Sequence, residues 1–114
     1  MAVDLSTLDA LQAGITRKVT LNATGGNVTA ITFPRWCRRV TFSFFTSAGA
    51  AEVGYFEMSG TDGAAKTVNA FYVGSSGAYT RKIAPDGIES PAEAVVLYLA
   101  GTSSSGYVLI DLEP

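Results

Sequence analysis

Histidine is missing from the sequence altogether. With it go the usual general base near neutral pH and every Ser-His-Asp or Cys-His arrangement. Cysteine occurs once, as Cys37. One thiol makes no intramolecular disulfide, and without histidine it anchors no zinc site. The chain is thus compatible with a reducing compartment. Charge is also scarce, at 16% of residues against a usual share of about 25%. A surface so poor in charge implies that part of it is covered by other protein, as in a symmetric oligomer or larger assembly. Eight bases against ten acids leave a net charge of −2, which argues against a dedicated nucleic-acid binder. The longest apolar run, Ala94 to Ala100, is far too short to cross a bilayer as a helix. The N-terminus, MAVDLSTLDALQAG, lacks the basic and apolar regions of a signal peptide. No phosphate loop is present: Gly25-Gly26 is short and leads into a strand pattern.

What remains is sufficient for one domain. A chain of 114 residues buries roughly 65% of the surface exposed when unfolded. Residues 1–14 read as an N-terminal arm or short helix. Leu5, Leu8 and Leu11 recur every three residues, Ser6 with Asp9 approximates a capping box, and Gly14 is a natural stop. So short a helix is marginal alone, and its leucines must pack on their own domain or on a neighbour.

From Ile15 the pattern changes to period two, rich in Val, Thr, Phe and Tyr. Eight strands are expected, near 15–22, 27–33, 38–46, 51–58, 65–73, 78–84, 93–100 and 106–113. Gly-rich turns separate them, including Thr24 to Asn27, Gly60-Thr61-Asp62-Gly63, Gly74 to Gly77, Pro85-Asp86-Gly87 and Gly101 to Gly106. Val40, Phe42 and Phe44 alternate with polar neighbours, as Val108, Ile110 and Leu112 do with theirs. Residues 94–100 are apolar on both faces, as for a central strand covered on each side. The expectation is an all-β, eight-stranded antiparallel β-sandwich over 15–114, jelly-roll-like, with a small barrel as the alternative.

Few residues invite chemistry. Cys37 beside Arg35, Arg38 and Arg39 has neighbours that can lower a thiol pKa, but no base or second cysteine completes a mechanism. Glu52 and Glu57 sit at odd separation on one expected strand and so face opposite sides. Asp62 and Asp86 lack the ligand spacing of a calcium loop. No enzyme, cofactor or metal is expected. Tyr55, Phe56, Phe71, Tyr72, Tyr79, Tyr98 and Tyr107 offer either a sugar-binding face or cross-strand packing.

The most distinctive stretch is Phe33-Pro34-Arg35-Trp36-Cys37-Arg38-Arg39. Pro34 interrupts strand pairing. Trp and Arg are enriched at interface hot spots, so Arg35, Trp36, Arg38 and Arg39 join Leu5, Leu8 and Leu11 as candidate protein-interface residues. The alternative is that Trp36 plugs the core and the arginines are solvated or paired internally.

With its Leu-bearing N-terminal segment, the strand pair through Val19-Thr20-Leu21 and Val28 to Thr32, the Phe33 to Phe42 stretch and short Ala/Gly/Ser/Thr hairpins, the chain resembles the β-sandwich head-decoration, or cement, proteins of tailed bacteriophages. The likeness spans most of the chain but is one of style and strand order. It carries no functional residue set. It implies a homo-oligomer, a trimer first, bound to the major capsid protein on the outside of a capsid made in the host cytoplasm, with neither membrane nor nucleic acid as partner. Another virion part (tail, connector or fibre-attachment protein) and a carbohydrate-binding module are the rival readings.

Overall fold

A computed structural model describes residues 2–9, 16–68, 70–75, 78–83 and 94–114. Among them lie nine strands: β1 (Val3–Asp4), β2 (Arg17–Thr20), β3 (Thr29–Thr32), β4 (Arg39–Phe45), β5 (Gly54–Glu57), β6 (Phe71–Val73), β7 (Tyr79–Lys82), β8 (Val96–Gly101) and β9 (Tyr107–Glu113). They form a five-stranded sheet, β1-β3-β8-β5-β6, and a four-stranded sheet, β2-β9-β4-β7. All pairings are antiparallel except β1 with β3. The fold is all-β and compatible with a β-sandwich. Each of the eight expected stretches contains a strand, and β1 is additional. The expected Pro85-Asp86-Gly87 turn lies outside the described residues, as do Ser76 and Gly77.

Alternation along each strand builds the core. In β4, Val40, Phe42 and Phe44 are buried while their neighbours are not; in β9, Val108, Ile110 and Leu112 repeat the pattern. These side chains meet Ile31, Phe56, Leu97 and Leu99 of the other sheet in one apolar cluster. Phe42 and Phe56 join the sheets with ring centroids 5.9 Å apart. Gly54 is needed for this approach: a Cβ there would come within 2.2 Å of the Phe44 ring.

Of the expected N-terminal arm or helix over 1–14, residues 2–9 are described; they contain the short strand β1 and no helix. Val3 and Asp4 pair in parallel with Ile31 and Thr32, and Leu5 N–H donates to Thr32 C=O at 2.8 Å. Asp4 Oδ1 accepts the Ser6 N–H at 2.9 Å. One turn follows, with Leu8 N–H donating to Leu5 C=O at 3.1 Å. The reason is that a short helix leaves most of its backbone groups unpaired, whereas β3 offers partners along its edge.

The link between β5 and β6 is long. Residues 58–68 lead from β5 to the region before β3. There Asn27 and Ala65 form a bridge, Val28 N–H donates to Ala64 C=O at 2.8 Å, and Ala30 N–H donates to Asp62 Oδ1 at 2.9 Å. The expected Asp62-Gly63 turn is present, with Gly63 at φ 83°, where only glycine is at ease. It forms the tip of this excursion and not a two-residue hairpin. Gly60 of this excursion lies close to the ring of Tyr98 on central strand β8.

The edges of the four-stranded sheet share a device. Arg17 of β2 pairs with buried Ile110, and Arg81 of β7 with buried Val40, so both arginines face inward. Arg17 Nε and Nη2 and Arg81 Nε are buried without hydrogen-bond partners. The Arg81 guanidinium lies over the rings of Phe71 and Phe56, at 5.4 and 5.7 Å. Inward-pointing charge on an edge strand discourages edge-to-edge association.

Candidate interaction surfaces

Trp36 and the arginines around it occupy the entrance to β4. Cys37 N–H donates to Pro34 C=O at 3.0 Å, closing a turn, and Arg38 is then tied on both sides: its N–H to Glu113 C=O and its C=O to Ile83 N–H, each at 2.8 Å. Trp36 is half-buried against the core, and its Nε1–H donates to Leu8 C=O at 2.7 Å. The tryptophan thus serves its own domain, clasping the N-terminal segment. Leu5 and Leu8 are likewise half-buried against the core. They are engaged within the chain, so a free docking arm is not what residues 2–9 form. Leu11 lies outside the described residues.

The arginines behave differently. Arg39 pairs across β4 with Lys82 on one side and Glu113 on the other. With Arg38 these residues and Pro114 line a cleft of about 380 Å³. Arg35 stands exposed in the preceding turn.

Cys37 lies beneath this end and is fully buried, its Sγ–H donating to Arg39 C=O at 3.1 Å. Burial pushes its pKa up to about 11. The nearby arginines, whose charge was weighed as a means of activating this thiol, do not outweigh that desolvation.

The carboxylates bind backbone. Glu52 accepts the N–H groups of Thr102 and Ser103 at 3.2 Å, and the Ser103 hydroxyl at 2.6 Å. It therefore organises the β8–β9 turn from across the molecule. Glu57 is buried and accepts the Thr67 N–H. Asp62 holds Ala30, and Asp86 lies outside the described residues. Among the described residues no group of three His, Cys, Asp or Glu side chains is placed to hold a metal ion.

Nor do the aromatics form one row. Phe56 is core and Tyr79 packs against the core. Tyr107 stacks on Phe45 at 5.2 Å beneath Lys18, on the outside of the four-stranded sheet. Tyr55 and Tyr72 meet edge to face at 6.0 Å on the outside of the other sheet, with Lys66 4.2 Å from the Tyr55 ring.

Besides Phe71 and Tyr72, which the sequence offered as part of an aromatic face, the structure exposes Met58 and Val68. Val68 is 98% exposed, Tyr72 65%, Phe71 47% and Met58 45%, and all four belong to β6 or the excursion leading into it. β6 is also the edge of its sheet. The available signal was the stretch from Thr67 to Thr80, which contains no charged residue; edge strands are ordinarily protected by charge or proline.

No protein-family model, curated protein or solved structure matches the chain.

Proposed function

We propose that this chain is a virion structural protein without catalytic activity, seated on the outside of an icosahedral capsid and stabilising it as a decoration, or cement, protein. Its partner in this reading is the major capsid protein, and its copies associate as trimers. The observation that carries the reading is the exposure of four large apolar side chains, Phe71 and Tyr72 on edge strand β6 and Met58 and Val68 in the segment that precedes it. Exposed clusters of this kind mark surfaces that other molecules cover.

Strand wiring supports the same reading at the level of fold. Strands β2 to β9 run as 2-9-4-7 in one sheet and 3-8-5-6 in the other, so successive strands change sheet at every step except from β5 to β6, which pair with each other. In our reading this order, with β1 added beside β3, is compatible with an eight-stranded jelly roll. Viral capsid and lectin domains both use jelly rolls, which is an analogy of fold and leaves function to the surface. Cementing requires only linkage: a protein that binds the assembled lattice and not its free subunits stabilises the lattice by mass action, by about 2.7 kcal/mol at a hundredfold excess over Kd. Repeated copies add avidity.

The test is co-sedimentation with candidate capsid shells, combined with light scattering of the chain alone. The expected result is an oligomer that pellets with one class of shell and raises its disruption temperature. A strict monomer that ignores every shell sinks the proposal. The rival carbohydrate-binding reading has one observation in its favour, the exposed Tyr55–Tyr72 pair. Glycan-array binding lost on Tyr72→Ala would establish it instead.

A further inference from the structure

We infer that the edge of β6 pairs with β6 of a second copy of this chain, antiparallel and across a two-fold axis at Tyr72, so that two five-stranded sheets become one of ten strands. The inference goes beyond the proposed function: the contact joins copies whatever they coat, and on a shell it would tie neighbouring trimers together.

Comparison of the sheet edges carries the argument. Among the described residues four strands end a sheet: β1, β6, β2 and β7. β1 carries Asp4, β2 carries Arg17 and Lys18, and β7 carries Arg81 and Lys82. β6 is Phe71-Tyr72-Val73, and residues 67–80 around it contain neither charge nor proline. Charge on an edge strand keeps other strands from adding to it. The edge that lacks charge is the one open to a further strand. Among the described residues β5 is the one strand that pairs with β6.

Neutrality also selects the occupant. A two-fold contact sets each residue near its own counterpart, and like charges directly opposite on paired strands are destabilising. β6 meets itself without that penalty, whereas β2 and β7 would not. Centred on Tyr72, the pairing sets Phe71 of each copy opposite Val73 of the other, and aromatic with β-branched cross-strand pairs are favourable. Phe71 stacks on Phe56, and Tyr72 meets Tyr55 edge to face. Even so, 47% of Phe71 and 65% of Tyr72 are exposed, so both rings have surface left to bury. Two basic side chains lie over these rings, Arg81 over Phe71 and Lys66 over Tyr55, and both are anchored outside the edge strand. At about 150–250 Å² per aromatic side chain, the exposed parts of the two rings amount to roughly 170–280 Å² in each copy. A stable complex buries about 800 Å² per partner. The contact is therefore weak in free solution and gains strength where copies are held side by side.

The test is the native mass of the full chain by sedimentation equilibrium, from micromolar to millimolar concentration. The variants are Tyr72→Lys, Tyr72→Asp and, as a control on another edge, Thr20→Lys. Urea midpoints verify that each folds. The native chain should rise toward twice its base mass as concentration increases, and the amides of Phe71, Tyr72 and Val73 should exchange more slowly in the associated form. Each Tyr72 variant alone should associate at least about tenfold more weakly, because a charge of either sign meets its like across the axis. An equimolar mixture of the two Tyr72 variants should recover the association, and Thr20→Lys should behave as the native chain. A base mass that never doubles overturns the inference and leaves a strand of a different protein as the occupant. Association that persists in both Tyr72 variants, or that the mixture does not recover, overturns it as well. Shell co-sedimentation separates this contact from the proposed function. A chain that doubles but sediments with no shell keeps the contact and removes the proposed function; one that sediments but never doubles does the reverse.

Discussion

The indole N–H of Trp36 donates to the backbone carbonyl of Leu8 at 2.7 Å, joining the turn before β4 to the segment after β1. Together with the Val3–Ile31 and Asp4–Thr32 pairing, this bond makes the N-terminal segment part of the domain. Deleting residues 2–9 should therefore destabilise the protein, by about 3 kcal/mol from the half-buried Val3, Leu5 and Leu8 side chains. Trp36→Phe keeps most of the ring and removes the donor, and should cost about 1–2 kcal/mol. Urea denaturation measures both. A free arm would leave the midpoint unchanged in the deletion.

Glu52 and Ser103 give a second prediction. The Glu52 carboxylate is the acceptor for two backbone N–H groups and a hydroxyl of the β8–β9 turn. Glu52→Ala should cost about 2–3 kcal/mol, in the range for hydrogen bonds to charged groups, and Glu52→Gln less, because one acceptor oxygen remains. Hydrogen exchange should accelerate at Thr102 and Ser103 before the strands on either side respond. Equal acceleration along β8 and β9 would mean that Glu52 acts globally and not through the turn.

These cases show which parts of the fold were legible in the sequence. Strands β4 and β9 declared themselves because one face is dry and the other wet, and a period of two records that directly. β8 was legible as a central strand because both its faces are apolar. The N-terminal segment was misread because Leu5 and Leu8, three residues apart, share a side in a single turn as well as in a helix. Only the position of the β3 edge distinguishes the two. The excursion over residues 58–68 was missed because its anchors, Asn27, Val28 and Ala30, are remote in sequence. Arg38 and Arg39 were legible as a basic cluster. Their meeting with Lys82 and Glu113 was not, since sheet register alone brings those residues together.

Cys37 supplies a prediction in pH. Burial raises its thiol from an ordinary value of 9.0 to about 11. Across that interval the unfolded chain has lost the thiol proton while the folded chain retains it. The unfolded state then binds fewer protons, so stability falls as pH rises. The contribution is fully present below pH 9.0 and lost by about pH 11. Its size is at most about 3 kcal/mol, following from about 1.4 kcal/mol per pH unit. Tyrosines and lysines titrate nearby in pH, so the measurement is the difference between the native chain and Cys37→Ala. The variant should show a shallower decline. At pH 8, iodoacetamide should label Cys37 in denaturant and leave the folded protein essentially unmodified. Rapid labelling of the folded chain would show that the thiol is accessible.

Thr29 supplies the last prediction, and it has the opposite sign. Its side chain is fully buried on the inner face of β3, in line with Ile31, and its Oγ1 makes no hydrogen bond. Burial of an unsatisfied hydroxyl costs roughly 1–3 kcal/mol on mutational scales. Thr29→Val replaces that hydroxyl with a methyl group of similar size, retaining the β-branched shape that suits a strand. The backbone pairing of Thr29 with Leu99 is independent of the side chain. Stability should therefore rise, by about 1 kcal/mol after allowance for imperfect packing of the new methyl group. Thr29→Ser, which keeps the hydroxyl and removes the methyl group, should fall by a similar amount. Urea midpoints at constant m-value measure the pair. A loss of stability in Thr29→Val would reveal a partner for the hydroxyl, such as a buried water.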